Sequence, residues 1–289
     1  MKWILCGKND AAVAALEHLQ SRGDEVWAVA TPSDDGDDGW QRSFAGAAHR
    51  CGVKLDQPER INDPEFVEQL AAFGARALIS IQYDQILGAN LFETLPVPCL
   101  NFHFALLPRH RGVSPIAWAI ALGDRESGVT LHHMVVGIDA GDVLAQRAVP
   151  IAPGGTARDL YDDTTTACID LFRETVPFSD ELLERRLIQD ETTACYHRTG
   201  DFDFARRRID WRRDAGELHA WIRAMIFPPH QFPEFVTDSG TFRVLRIAPE
   251  IAPVANSAAP GSVTQSSDVG LEVACAGGAV RITEIADTD

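Results

Sequence analysis

The sequence has no apolar run of about 18 residues, so it predicts no membrane-spanning helix. It also lacks the glycine-rich motifs of dinucleotide and nucleoside triphosphate sites, the GxSxG motif of serine hydrolases and the HExxH motif of zinc peptidases. The six cysteines are far apart and form no CxxC pair, so neither a metal site nor a disulfide framework is predicted. Most of these cysteines are expected to be buried in a protein of the reducing cytoplasm.

Basic residues are also scarce, with 26 Lys and Arg against 42 Asp and Glu and a net charge of −16. Such a chain repels polyanions unless a local basic patch overrides its field. The densest basic segment, residues 206–208 with Arg212 and Arg213, is interspersed with aspartates and is expected to be a solvated surface. The composition therefore argues against a nucleic acid partner, whereas 45% hydrophobic residues are enough for a sizeable core.

The first hundred residues alternate between short apolar segments and segments with helical apolar spacing. The N-terminal apolar segment ends at Gly7 and predicts a buried strand rather than a signal peptide. Strands are predicted at 3–6, 26–30, 77–82 and 99–103, and helices from a cap at Asn9 to Gly23, over 40–50 and over 64–73. Strands separated by helices pair in parallel, with right-handed crossovers.

The rest of the chain divides into a helix-rich part and a strand-rich part. A helix is predicted over 115–122, paired strands over 128–134 and 143–151, and a helix from Thr156, where Asp159 makes an acidic capping box. After residue 195 the sequence predicts a helix through Leu218 and Met225, strands over 242–247, 269–275 and 280–285, and a loop over 248–262. The predicted fold class is α/β, a Rossmann-like, mostly parallel sheet flanked by helices in residues 1–195, followed by a small β-rich, OB-like module in residues 196–289.

Three polar residues stand where such a fold places ligands. Asn101 and His103 are two apart at the end of an apolar strand, so both side chains leave the same face. Asp139 lies in an acidic, glycine-containing loop between two strands. An amide, an imidazole and a carboxylate together suit acyl transfer to an amine. By spacing alone, however, structural roles for these residue types are more common than catalytic ones.

The motifs around these residues resemble a known enzyme family. N-F-H-F-A-L-L-P-R-H-R-G at 101–112, P-I-A-W-A-I at 115–120 and I-D-A-G-D at 138–142 resemble the 10-formyltetrahydrofolate-dependent formyltransferases. A weaker likeness continues through I-D-W at 209–211 and P-G-S-V at 260–263 and covers nearly the whole chain. The family includes methionyl-tRNA formyltransferase, the formyltransferase domain of the aminoarabinose-modification enzyme, glycinamide ribonucleotide formyltransferase and the sugar N-formyltransferases.

The resemblance implies roles for individual residues. It implies that Asn101 steadies the oxyanion, that His103 transfers protons and also stabilises the oxyanion, and that Asp139 orients His103 and raises its pKa. It implies 10-formyltetrahydrofolate as cofactor, bound largely through backbone groups near Gln82, Tyr83, Asp84, Ile86, Leu87, Gly137, Ile138 and Asp142. A substrate contact is expected at Phe104, although Phe104-Ala105 departs from the small polar residue of many relatives. Arg109 and Arg111 are expected either to contact a phosphate or carboxylate of the substrate or to pack the loop.

The resemblance leaves the amine open. Methionyl-tRNA would require a cationic surface, but residues 240–289 hold three arginines, no lysine and six acids. The Phe-Pro-Pro-His segment at 227–230 also looks more like the sugar enzymes than the Pro-Trp-Pro-Gly-like run of the tRNA enzymes. An amino sugar linked to dTDP or UDP is therefore favoured, with a role in carbohydrate biosynthesis.

The alternatives are methionyl-tRNA, another small amine, and a formyltetrahydrofolate hydrolase, although the hydrolases usually carry an N-terminal regulatory domain. A homodimer through the C-terminal part is expected from the resemblance alone.

Overall fold

The computed structural model describes residues 1–253 and 258–288. The strands are β1 (Lys2–Gly7), β2 (Glu25–Ala30), β3 (Lys54–Asp56), β4 (Ala77–Ile81), β5 (Cys99–His103), β6 (Arg111–Gly112), β7 (Glu126–His133), β8 (Val143–Pro150), β9 (Tyr196–His197), β10 (Glu234–Thr237), β11 (Gly240–Ala252), β12 (Val263–Ser267), β13 (Gly270–Cys275) and β14 (Gly278–Asp287). The helices are α1 (Asn9–Ser21), α2 (Phe44–Cys51), α3 (Pro64–Ala72), α4 (Ala89–Thr94), α5 (Pro115–Ala121), α6 (Ala157–Thr175), α7 (Asp180–Glu184) and α8 (Ala215–Met225).

The larger sheet has seven strands in the order β3-β2-β1-β4-β5-β7-β8. The pairs from β3 to β5 are parallel, and β7 runs antiparallel to β5. The central strands β1 and β4 are almost wholly buried, which explains why their sequences are continuous apolar runs rather than alternating patterns. The predicted α/β class with a mostly parallel sheet is confirmed.

Side-chain caps decide where several helices begin. Asp63 accepts hydrogen bonds from the amides of Glu65 and Phe66, so α3 begins at Pro64 as predicted. The prediction of a helix from residue 40 is wrong because Ser43 caps α2 through the amide of Gly46. The predicted cap at Asn9 is also wrong, since Asn9 is the first residue of α1 and the N-cap position falls on Lys8.

The smaller sheet is antiparallel, in the order β10-β11-β14-β13-β12. One face packs on α8, where the buried side chains of Leu218 and Ile222 meet Val244 and Val280. The prediction of a loop from residue 248 is wrong, because β11 continues to Ala252 along β14; residues 254–257 of that loop lie outside the described residues. The sheet makes an antiparallel half-barrel, and the predicted β-rich C-terminal module is confirmed.

The chain forms two compact units from interleaved segments. Unit 1 contains residues 1–112, 128–148 and 164–196, and unit 2 contains residues 113–127, 149–163 and 197–289. The domain division after residue 195 stays a prediction. All six cysteines are free thiols, and four of them are buried. Within the described ranges, every helix is too short or too polar to cross a membrane.

Candidate active site

Asn101 and His103 lie near the carboxyl end of β5 in unit 1. β5 is flanked by β4, with Ser80 beside Asn101, and by β7, with His132 opposite Asn101. The two-residue spacing sends both side chains to one face of the sheet, as the sequence indicated. Asn101 is half-buried and His103 is buried.

The loop after β7 carries Asp139 on a tight turn. The amide of Ala140 donates to the carbonyl oxygen of Gly137 (3.3 Å), and Asp139 adopts a left-handed backbone with φ of 53°. Gly141 follows because a β-carbon at this position would overlap the carbonyl oxygen of His133. The turn directs the carboxylate of Asp139 back toward the side chains of β5, and the amide of Gly112 in β6 donates to its Oδ2 (2.8 Å).

The three predicted catalytic side chains come together around this carboxylate. His103 Nδ1 lies 3.5 Å from Asp139 Oδ2, and Asn101 Nδ2 lies 3.5 Å from Asp139 Oδ1. His132, which the sequence analysis missed, completes the cluster with its Nε2 3.1 Å from Asn101 Nδ2 and 3.5 Å from Asp139 Oδ1. Its place in the cluster depends on the register of β7 against β5, for which the sequence offers no local signal. The geometry brings the three residues into contact; their catalytic roles stay predictions.

His103 has a defined proton on its other ring nitrogen. Nε2 lies 2.8 Å from the carbonyl oxygen of His110. A carbonyl oxygen only accepts, so Nε2 carries hydrogen and donates it. His110 itself adopts a left-handed backbone, with φ of 57°, that brings this carbonyl to His103.

Burial and charge have opposite effects on the pKa values of His103 and Asp139. Burial is the largest effect on His103 and lowers its pKa below the ordinary value, although the charge of Asp139 and the bond to His110 act upward. The expected upward effect of Asp139 is therefore present, but burial outweighs it. Burial alone would raise the pKa of Asp139, yet His103, His132 and the amide of Gly112 together hold it well below its usual range. The carboxylate is ionised at neutral pH, and the imidazole is largely neutral.

The predicted substrate residues differ in their surroundings. Phe104 is buried and Arg109 is exposed. Arg111 is buried, donating through Nε to Gln189 (3.0 Å) and through its terminal nitrogens to Glu191 (3.0 and 2.7 Å). Contacts of these three residues with a substrate stay predictions.

A cavity of about 380 Å³ adjoins the turn that carries Asp139. Its wall includes Cys99, Met134 and the segment from Ala140 to Asp142. Apolar side chains are exposed in the same turn, with Ile138 41% and Val136 75% accessible. Of the predicted cofactor residues, Asp142 lines this cavity. Gly137 and Ile138 belong to the same loop but do not line it.

The remaining predicted cofactor residues follow β4. Ile86 is 71% exposed, and Asp84 pairs with Lys8 at 3.4 Å. Tyr83 and Leu87 pack against the core beside Leu78, and Gln82 has a left-handed backbone with φ of 55°. Burial raises the pKa of Tyr83, whose phenol oxygen is buried without a hydrogen-bond partner. Cofactor contacts at all of these positions stay predictions.

The fold and the polar cluster define a two-part α/β protein with an amide–imidazole–carboxylate site near the carboxyl end of β5. Residues 2–176 match the formyl transferase family, and residues 204–289 match the formyl transferase C-terminal domain. The chain belongs to the formyl transferase family, and the predicted family is confirmed.

Individual relatives cover almost the whole chain. The methionyl-tRNA formyltransferase of Geotalea uraniireducens is 30% identical over 292 residues, covering 99% of this chain and 90% of the relative. The solved structure of WlaRD, a sugar 3N-formyl transferase, with dTDP and 5-N-formyl-THF has a TM-score of 0.76 at 22% identity, covering 98% of this chain and 97% of that one. The N-formyltransferase from Helicobacter canadensis, solved with folinic acid and dTDP-3-aminofucose, also has a TM-score of 0.76 at 22% identity, covering 98% and 99%. At this identity the solved structures establish the fold.

Proposed function

We propose that this protein transfers the formyl group of 10-formyltetrahydrofolate to the primary amine of an amino sugar linked to dTDP or UDP. The observation that carries the proposal is the cluster of Asn101, His103 and Asp139 at β5, whose Asp139 lies on a turn that continues into the wall of a cavity. These groups supply an amide donor, a proton acceptor and a fixed negative charge, which formyl transfer to nitrogen requires.

The cavity suits a flat heteroaromatic ring with polar edges. Its wall combines apolar residues, such as Met134 and Cys99, with the polar residues Asp142 and Arg186. When bound there, 10-formyltetrahydrofolate supplies the formyl group to be transferred. The turn from Gly137 to Asp142 and the segment after β4 would hold it.

His103 is prepared to accept a proton. Its lowered pKa keeps the ring largely neutral, and the hydrogen on Nε2 leaves Nδ1 as the basic nitrogen. Nδ1 takes the proton of the amine as the new carbon–nitrogen bond forms and returns it to the leaving nitrogen as the old one breaks. Asn101 donates to the developing oxyanion, an interaction worth about 3 kcal/mol at comparable sites. Asp139 stabilises the imidazolium while it carries the proton.

Charge supports a nucleotide-linked sugar over tRNA. The chain carries a net charge of −16, and residues 204–289 hold nine arginines against eleven acids, so this C-terminal part has no net positive charge to attract tRNA. The WlaRD and H. canadensis structures, which contain dTDP or a dTDP-sugar, share this fold over nearly the whole chain. A methionyl-tRNA acceptor is the second candidate, favoured by the 30% identical G. uraniireducens relative.

A direct comparison of amines tests the proposal. Purified protein is incubated with 10-formyltetrahydrofolate and either dTDP- and UDP-linked amino sugars or methionyl-tRNA, and products are identified by mass spectrometry. We expect a formylated sugar nucleotide, and we expect His103→Ala to abolish most turnover while leaving the far-UV circular dichroism spectrum unchanged. Formylation of methionyl-tRNA alone would replace the proposal with its second candidate. Loss of the formyl group at the same rate without amine would indicate a hydrolase.

A further inference from the structure

The side chain of Gln189 is bound to the turn that carries Asp139. Gln189 is buried, with 7% of its surface accessible. Its Nε2 donates to the carbonyl oxygen of Asp139 (2.7 Å) and to the carbonyl oxygen of Gly141 (2.7 Å). Both amide hydrogens therefore bind carbonyl oxygens of one short loop, from the residues on either side of Ala140.

Arg111 determines which way the amide of Gln189 faces. Arg111 Nε lies 3.0 Å from Gln189 Oε1, and a guanidinium only donates. The oxygen of the amide must therefore face Arg111, which leaves the NH₂ group for the two carbonyl oxygens. The carboxylate of Glu191 accepts hydrogen bonds from both terminal nitrogens of Arg111, so the guanidinium is itself held in one orientation.

The same segment also reaches the carboxylate of Asp139. Gly112 follows Arg111, and its amide donates to Asp139 Oδ2 at 2.8 Å. The backbone of Asp139 is thus held by Gln189 and its carboxylate by Gly112, with Arg111 linking the two. Asp139 needs such restraint, because a left-handed backbone is unfavourable for a residue with a β-carbon.

We propose that Gln189 is a positioning residue for the transfer reaction, and that Arg111 orients Gln189 instead of binding substrate. The inference rests on the proposed function, since positioning has meaning only if Asp139 acts with His103. Gln189 acts on the chemistry through Asp139, whose carboxylate lies 3.5 Å from His103. Loosening the turn moves this charge away from the imidazole.

The kinetic test compares two glutamines with the same bonding pattern. Gln57 also donates through Nε2 to two carbonyl oxygens, those of Thr31 (2.8 Å) and Asp34 (2.7 Å), in the loop after β2. For Gln189→Met we expect kcat to fall about 10- to 100-fold, with KM for the amine changed less than about 3-fold, because misplacing a catalytic group mainly lowers kcat. For Gln57→Met we expect kcat to stay within about 2-fold of the parent protein. Equal kcat values for the two variants would overturn the inference.

A second measurement needs no substrate. Histidine ring signals are titrated by NMR in the parent protein and in Gln189→Met, with His103 assigned by its loss in a His103→Gln variant. We expect the pKa of His103 to move further down in Gln189→Met, because the charge of Asp139 no longer supports the imidazolium, while that of His219 in unit 2 stays constant. An unchanged His103 pKa would overturn the inference even if kcat fell.

The titration also separates the two proposals. A parent protein that formylates no amine would refute the proposed function, whereas the His103 titration would still decide whether Gln189 positions Asp139. If Gln189→Met does not fold, Gln189→Asn keeps a polar amide and adds no charge, but its side chain is one methylene shorter, so it cannot bond Arg111 and both carbonyl oxygens together. The same fall in kcat and the same shift of the His103 pKa are then expected, and the parent values would overturn the inference.

Discussion

At the residue scale, the two members of the buried pair His103 and Asp139 differ in when they are charged. Asp139 is charged throughout, whereas His103 becomes charged during the reaction. The pKa of Asp139 lies below its usual range and that of His103 below its ordinary value, so near neutral pH the carboxylate is charged and most imidazole is not. The ion pair therefore forms fully when His103 takes a proton from the amine. A stabilising interaction that strengthens in the transition state raises kcat.

Replacing the carboxylate by an amide tests this pair. For Asp139→Asn we expect kcat to fall about 10²- to 10³-fold, because the imidazolium loses its buried counter-charge. The acid limb of the kcat/KM profile, which reports protonation of His103 below its ordinary pKa, should also move to lower pH. The measurement is steady-state kinetics between pH 5 and pH 9 (a range of about four units chosen around the ordinary histidine value).

Asp190→Asn is the matched control, since Asp190 is an exposed carboxylate of unit 1 that bonds within its own turn. Its kcat and pH profile should match those of the parent protein. A profile for Asp139→Asn that coincides with that of Asp190→Asn would contradict the role given to Asp139.

Some of the site was predictable from single residues, and the rest depended on strand pairing. Asn101, His103 and Asp139 stand in recognisable motifs, and the structure brings them together. His132 was missed because its place depends on the register of β7 against β5, which its own sequence does not specify. Gln189 was missed because it lies 50 residues from Asp139, in a segment of little regular structure.

At the element scale, the start of α6 depends on a reciprocal cap. The side chain of Asp159 accepts from the amide and hydroxyl of Thr156 (2.9 and 2.7 Å), as the sequence indicated. Arg246 of β11 then adds two further bonds to the same carboxylate. Burial alone would raise the pKa of Asp159, but these bonds hold it below its ordinary value.

Removing this cap should destabilise the protein. For Asp159→Ala we expect a loss of about 1 to 2 kcal/mol in the free energy of unfolding, the range for a helix cap with an added ion pair. Asp162→Ala is the control, because Asp162 forms an exposed ion pair with Arg158 one turn away, and the substitution should cost about 0.5 kcal/mol or less. Urea unfolding at pH 7 measures both, and equal losses would refute the cap.

Elements were predictable where a local signal marks them. α3 and α6 have caps that can be read in the sequence, and β5 is a compact apolar run. β12 was missed because all of its residues are exposed, so its sequence shows no alternation of buried and exposed positions. β11 was predicted too short because its register along β14 shifts near Ile247, and pairing resumes only at Ile251.

At the scale of the whole molecule, several histidines are held neutral by burial. Burial is the first cause of lowered pKa values at His18, His103, His133 and His219. A histidine whose pKa is lower in the folded state binds fewer protons there than in the unfolded chain. Stability is then greatest above the unfolded value, near 6.5, and is lost as pH falls below it.

We therefore expect the melting temperature to decrease as pH is lowered from about 7 to about 5. The window is specific to histidine, because the lowered pKa values of Asp139 and Asp159 cost stability only below the ordinary carboxyl range, near 4. His219→Gln retains a group able to donate to the carbonyl oxygen of Ala248, so its decrease should be shallower. Scanning calorimetry at matched ionic strength measures the slopes, and a flat parent profile would contradict this account.

The interleaving of the two units restricts how this chain can be recombined with its relatives. Helix α5, early in the chain, packs on α8, a hundred residues later, within the same unit. A chimera joined at a single point near residue 196 would inherit these two packed helices from different parents. An exchange of the C-terminal module between family members must therefore include residues 113–127 and 149–163, which belong to the same unit.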